Sequence, residues 1–214
     1  MKVSFIADGF NLYHSFRDYQ EKSNICVKWL DLKELCESYL SAIAQTANSK
    51  TILGEIYYFS AYASHLTANN PDVVKRHKRF IDALKDTGVI CEMSSFKRKS
   101  IYCKPCEKNI YKYEEKETDV KIALKFLELF HQDKCDAIVL LSGDTDLIPA
   151  FETAKRLFPT KKLFVLFPYN RHNRDLERVA DKCFKIKPKK YRENQLKSPH
   201  TCSDGSQIIK PSSW

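Results

Sequence analysis

Short apolar runs rich in β-branched and aromatic residues alternate with longer stretches of helical spacing along most of the chain. This alternation limits the fold more than any other feature. "KVSFIAD" (2–8) is an apolar run stopped by Asp8-Gly9, which reads as a buried strand. "WLDLKELCESYLSAIA" (29–44) sets Leu32, Leu35, Tyr39 and Ile43 at helical spacing, and "TILGEIYYFSAYA" (51–63) has strand composition. A helix is expected over 71–88, with Pro71 near its start and Gly88 beyond its end, and a strand at "VICEM" (89–93). "TDVKIALKFLELFHQ" (118–132) reads as a helix whose narrow polar stripe, Lys121, Lys125 and Glu128, leaves most of its circumference to be packed. "CDAIVLLSG" is a strand and "DLIPAFETAKRLF" a helix with Pro149 in its first turn. "KLFVLFP", "NRDLERVAD" and "KCFKIK" then give strand, helix and strand. Strands alternating with helices imply right-handed crossovers, a mostly parallel sheet and helices on both faces. Ligands in such sheets bind beyond the carboxyl ends of the strands, at the switch point.

One segment breaks the rhythm. "SFKRKSIYCKPCEKNIYKYEE" (95–115) is basic, aromatic and turn-rich, and is expected to form an inserted β-hairpin. Beyond Lys187 the chain is polar, with three prolines, and is expected to be a poorly ordered tail. The 214 residues, 43% of them hydrophobic, suffice for one domain with a full core. No apolar stretch is long enough to span a bilayer, and "MKVSFIADGF" lacks the apolar region of a secretory signal. A soluble cytoplasmic protein with its eight cysteines reduced is the expectation. The formal net charge is +9, of which residues 182–214 carry +6. That balance suits either a polyanionic partner or a solvated tail.

Asp8 ends the first strand, and Asp144 and Asp146 follow the "AIVLLSG" strand. Neighbouring strands would bring these carboxylates to one crevice. Asp119, at the start of the 118–132 helix, would join them, and Asn11 could reach in with a neutral amide. Each close carboxylate pair costs about 1–4 kcal/mol at surface-like dielectric. Raised pKa values or a divalent cation would offset that. Oxygen ligands without a nearby histidine suit Mg²⁺ or Mn²⁺ rather than zinc, and such ions serve phosphate chemistry. Each aspartate also has an ordinary use. Asp8-Gly9 is a common turn pair, and Asp119, Asp144 and Asp146 are favoured helix caps. Several at one sheet edge tilt the reading toward a metal site.

"FIADGFNLY", "YEEKETDVKIAL" and "VLLSGDTDLIPAFETAKRL", in this order, resemble the NYN domain of the LabA-like branch of the PIN-like nuclease superfamily. The resemblance covers residues 1–187. It implies a Rossmann-like α/β/α sandwich that cleaves RNA with a divalent metal, most simply as an endoribonuclease. Its acidic set matches Asp8, Asp119, Asp144 and Asp146, and its polar residue after the first aspartate matches Asn11. Ser142 and Thr145 fall in the matching loop.

Cys103 and Cys106 in "YCKPC" have zinc-knuckle spacing, and the resemblance includes a Cys-pair insert. Zinc takes four ligands, so Cys91, His77, His65 or a second subunit of a homodimer would have to complete the site. Two reduced thiols at a hairpin tip are the simpler reading. Lys97, Arg98, Lys99 and Lys104 interleave with Tyr102, Tyr111 and Tyr113, a pattern suited to holding single-stranded RNA through phosphates and unstacked bases. Arg171 and Arg174 follow a strand end, where they could meet substrate phosphate, whereas "KRHKR" (75–79) reads as an exposed helix face. Two other readings fit the same aspartates. One is an RNA-binding module without activity. The other is a phosphohydrolase of the haloacid-dehalogenase type, against which stands Phe10 where that class needs a second aspartate.

Overall fold

The computed structural model describes residues 1–214. Seven strands form one sheet: β1 (Lys2–Asp8), β2 (Ile52–Ala61), β3 (Ile90–Cys103), β4 (Lys108–Lys116), β5 (Ala137–Leu141), β6 (Lys162–Phe167) and β7 (Lys182–Lys185). Their order is β4-β3-β2-β1-β5-β6-β7, with every pair parallel except β3–β4. The chain builds outward from β1 through β2 to β3, then returns to pair β5 against the other side of β1. That reversal makes β1–β5 the switch point. Both strands are buried along almost their whole length, which is why each reads as an unbroken apolar run.

Period-two alternation sorts these side chains between two layers. Val3, Phe5, Ala7, Val139 and Leu141 face α1 (Gly9–Ser23), α2 (Leu32–Ala47) and α3 (Val73–Asp86). Ile6, Ile138, Leu140, Val165 and Phe167 face α4 (Thr118–His131), α5 (Ile148–Leu157) and α6 (Arg174–Val179). The expected three-layer α/β/α arrangement is therefore what forms. No helix is long and apolar enough to cross a membrane.

Helix α1 is absent from the sequence reading. Its buried face is Leu12, Ser15, Phe16 and Tyr19, so a polar residue interrupts the apolar stripe. The Ser15 hydroxyl is satisfied by Tyr191, 176 residues away, which no local pattern reveals. Asp8 caps the helix by accepting the N–H groups of Phe10 and Asn11. Gly9 lets the first turn lie against β2. A Cβ there would meet the Tyr58 ring at 2.5 Å and the Phe59 carbonyl at 2.7 Å.

The expected β-hairpin over 95–115 forms, and it grows directly out of the sheet. β3 pairs with β2 through Ile90–Ser94, then continues without a break to pair with β4 from Ser95 to Cys103. The sheet edge thus runs directly into a two-stranded arm about 30 Å long at ~3.3 Å per residue. Two other expectations need correction. Helix α4 is less packed than its narrow polar stripe implied, because Val120 and Leu124 stay 62% and 60% exposed.

The second correction concerns the segment after Lys187, which is folded onto the domain rather than loose. It forms α7 (Pro188–Glu193) and a small hairpin of β8 (His200–Thr201) and β9 (Gln207–Ile208). Tyr191 is fully buried against Phe16, and its hydroxyl also accepts the Tyr169 N–H. The Leu196 N–H donates to the Trp29 carbonyl, and Trp214 packs edge-on to Trp29 and Phe80. A few large side chains, each seated in a site built by distant residues, outweigh the polar composition. Removing residues 188–214 would expose Trp29, Phe80 and Ser15. We expect that truncation to lower the thermal midpoint by at least 5 °C, at about 2–4 °C per kcal/mol for a chain of this size, as read by circular dichroism melting.

Candidate active site

Beyond the carboxyl ends of β1 and β5 lies a cleft of about 220 Å³. Asp8, Asn11, Glu115, Thr118, Asp119, Asp144 and Arg171 line it, with Phe10 and His14 on one side. Each acidic residue is placed by local structure. Asp8 is both the last residue of β1 and the cap of α1. Asp119 is the second residue of α4. Asp144 caps a single 3-10 turn, Thr145–Leu147, by accepting the Asp146 N–H at 3.0 Å. Of the capping uses that competed with function in the sequence, those of Asp8 and Asp144 are real here, whereas Asp119 and Asp146 cap nothing. The two caps fix their carboxylates in place without removing them from the cleft.

A hydrogen-bond chain ties the two strand ends together. The Ser142 hydroxyl donates to Asp8 Oδ2 at 2.9 Å and accepts the Asp144 N–H at 3.1 Å. Asn11 Oδ1 accepts the Gly143 N–H at 3.1 Å, so the amide holds the β5 loop against α1. Gly143 itself lies on the backbone of Arg171, where a Cβ would come within 1.9 Å of the Arg171 carbonyl oxygen. Alanine at Gly143 must push the two loops apart. We expect it to cost about 1–3 kcal/mol, the usual range for overpacking, as a lowered urea midpoint with an unchanged m-value.

The electrostatics follow from crowding. Burial pushes the Asp8 carboxyl up to about 6, despite the N–H and hydroxyl donors that oppose the shift, and Asp119 and Asp144 add to it. Asp119 is raised as well, first by desolvation and then by Asp144 and Asp146. Glu115 is raised by burial, against the hydroxyl of Thr118 at 2.6 Å. Asp8, Asp119 and Asp144 do not close to within 4.8 Å of one another as a trio. Carboxylate oxygens are the donors a hard cation such as Mg²⁺ takes. The oxygen-only carboxylate set and its mutual repulsion fit such an ion.

Of the residues chosen from sequence, Asp8, Asn11, Asp119, Asp144 and Arg171 meet at the cleft. Asp146 is exposed beside the cleft rather than in its lining, yet close enough to raise Asp119. Arg171 donates to Asp18 at 2.7 Å, while its Nε is buried without a partner. Arg174 is exposed on α6 and outside the lining. Lys97, Arg98, Lys99 and Tyr102 lie along the arm, not at the cleft. There Lys97 pairs with Glu117, Lys99 with Glu114, and Arg98 stacks on Tyr111. Glu115, Thr118 and His14 were missed as lining residues. Thr118 adjoins Asp119 in the sequence and Glu115 lies four residues before it, but only the turn of β4 into α4 aims them inward.

Cys103 and Cys106 stand at the arm tip, where Cys106 Sγ lies 3.9 Å from the Cys103 carbonyl oxygen. None of Cys91, His77 or His65 forms a metal-binding group with them. All eight cysteines are free thiols. The one close mixed cluster is Asp86, His200 and Cys202, whose donor atoms lie within 4.8 Å of one another. Asp86 already accepts from Ser203 N–H and contacts His200 at 2.7 Å, so the cluster serves as a clasp between α3 and the folded tail.

An acidic cleft at the switch point of a parallel α/β sheet defines the class. The model of the NYN domain matches residues 2–187, and the chain belongs to that family. NYN domains have a PIN-like nuclease fold and are typically nucleases, so membership supports a hydrolase acting on nucleic acid. A comparison with curated proteins gives no match. Among solved structures, the chain is similar to a protein of unknown function from Vibrio parahaemolyticus. The TM-score is 0.53 at 19% identity, over 87% of this chain and 93% of the other, and this likeness concerns the fold alone.

Proposed function

We propose that the chain is a metal-dependent ribonuclease of the LabA-like branch that cuts RNA internally. The observation that carries this reading is the convergence of Asp8, Asp119 and Asp144, from three separate elements, on one cleft that also holds Arg171. Mg²⁺ or Mn²⁺ held by these carboxylates, with Asp146 at the rim, would offset their repulsion and supply Lewis acidity to a phosphodiester. Asp119 is the least constrained of the three, since it caps no helix, and it is suited to take a proton from the attacking water. Arg171 places a guanidinium charge in the cleft lining, suited to a phosphate oxygen. Ser142 and Asn11 act as positioning residues for Asp8 and the β5 loop. The eight reduced thiols support a cytoplasmic setting. Within one chain Cys103 and Cys106 give only two of the four ligands zinc takes, so zinc enters this reading only through a second copy.

Cleavage of a labelled single-stranded RNA in Mn²⁺ tests the proposal, with EDTA and the Asp144→Asn variant alongside. Asparagine keeps the cap acceptor and removes the charge. The expected loss is about 10²–10³-fold, the scale seen when one group stabilising transition-state charge is removed. Cleavage that persists in EDTA and in the variant would sink the mechanism. Salt-sensitive RNA binding that never yields product would make the chain a binding module instead.

A further inference from the structure

A larger groove, about 490 Å³, opens beside the acidic cleft and shares Phe10 and His14 with it. It runs between α1, the end of β2, the 3-10 turn Ser64–Leu66, α3 and the root of the arm. Its walls are aromatic. Phe10 and Tyr13 project from α1 with 44% and 40% of their surface exposed. Opposite them, Tyr113 stacks on His65 with centroids 4.4 Å apart and planes 11° from parallel, and Phe96 lies 4.6 Å from the same imidazole. Trp214, from the folded tail, closes one end against Phe80.

The charges of the lining are one-sided. Arg17, Lys28 and Arg76 contribute cations, and no aspartate or glutamate lines the groove. The interior between them is neutral. Burial pushes His77 down to about 4, which leaves it neutral at pH 7, and shifts His65 and His14 in the same direction, toward the neutral form. The "KRHKR" stretch is thus not a uniformly solvated face, because Arg76 and His77 turn into the groove. Flat, neutral, stacking walls with a cationic edge match an unpaired nucleobase joined to phosphates. A volume of this size falls within the range of small-ligand sites.

We infer that this groove receives unpaired bases of the RNA strand whose phosphodiester occupies the acidic cleft. The inference rests on the ribonuclease reading and adds to it the choice of substrate. Phe10 and His14 form the shared wall across which one strand passes from base groove to acidic cleft. Duplex RNA keeps its bases stacked internally and cannot use the site. Recognition therefore selects single-stranded segments, and Tyr13 is a specificity residue that never meets the reacting phosphate.

Fluorescence anisotropy on the full chain carrying Asp144→Asn tests this, with three labelled probes: a single-stranded RNA, an abasic strand of the same length and an RNA duplex. Adding Tyr13→Ala should weaken the single strand by about 5- to 150-fold, the range for one stacked base. Binding of the abasic strand and the duplex should not change. Tyr13→Trp, which keeps a stacking face, should restore single-strand affinity, so a folding defect cannot imitate the result. Nucleotide entry should also quench Trp214, and the quench should vanish in Trp214→Phe. Equal affinity for the RNA and the abasic strand, or equal weakening of both by Tyr13→Ala, overturns the inference. If wild-type protein cleaves single strands and Tyr13→Ala cleaves them with unchanged KM, the groove assignment fails while the nuclease reading stands. If no RNA is cleaved, yet Tyr13→Ala still weakens the single strand selectively, the groove stands and the nuclease reading fails.

Discussion

Asparagine at Asp119 is expected to lower the rate of RNA cleavage by about 10²–10⁴-fold, the usual contribution of a positioned general base. The side chain caps no helix, so the substitution removes chemistry with little structural cost. At saturating Mn²⁺, which Asp119 would help to hold, RNA binding should not suffer. One negative charge fewer in the cleft reduces repulsion of the phosphate, and the loss should fall on kcat rather than on KM. Asp119 is raised by desolvation, Asp144 and Asp146, so in the wild type the active, ionised form is depleted as the pH falls. Single-turnover cleavage over a pH series checks this. The wild-type profile should have an acid limb to which Asp119 contributes, and that contribution should be gone in the variant. Cleavage by Asp119→Asn at the wild-type rate would remove the residue from the reaction.

The second large effect combines stability with activity. Asp8→Asn should abolish detectable cleavage and yet make the protein more stable at neutral pH. The native carboxyl titrates near 6 because it is buried. The native state therefore binds more protons than the unfolded chain between the ordinary carboxylate range and about pH 6. A raised carboxylate of this kind costs stability above its folded pKa, and the cost fades as the pH falls toward the unfolded value. The shift corresponds to about 2–3 kcal/mol at pH 7 at 1.36 kcal/mol per pKa unit. Asparagine can still cap α1 through Oδ1, and its Nδ2 can donate to the Ser142 hydroxyl where the carboxylate accepted from it, so it removes that cost and keeps the contact with one bond reversed. The thermal midpoint of Asp8→Asn should exceed that of the wild type by about 4–12 °C at pH 7.5, at 2–4 °C per kcal/mol. The difference should shrink toward zero near pH 4. Mn²⁺ should stabilise the wild type by mass action and leave the variant almost unmoved. A wild type more stable than Asp8→Asn at pH 7.5 without added metal would contradict the strained-carboxylate account.

Much of the site was legible because a parallel sheet turns sequence order into position. An aspartate after an apolar run must lie at the carboxyl edge, so Asp8 and Asp144 could be placed before any coordinates. Asp119 could be placed because its helix follows the crossover. The place of Asp146 relative to the cleft was less legible. Its spacing from Asp144 is that of a helix cap and the residue it caps, and the turn that seats one leaves the other exposed. The course of the basic arm was not legible for a related reason. Local composition shows cations and tyrosines but not which way an arm points, and only Tyr113 and Phe96 at its root reach the groove.

The alternation of apolar runs and helical stretches by itself determined the layered sheet and the edge at which carboxylates gather, because strand burial and crossover handedness are consequences of local pattern. Tertiary structure alone decided the rest. Ser15 finds Tyr191, Trp214 closes a groove lined by Phe10 and Tyr13, and a polar tail folds onto the domain. Each of those contacts joins residues far apart in the chain, and their energies come from surfaces that exist only once the other elements have packed.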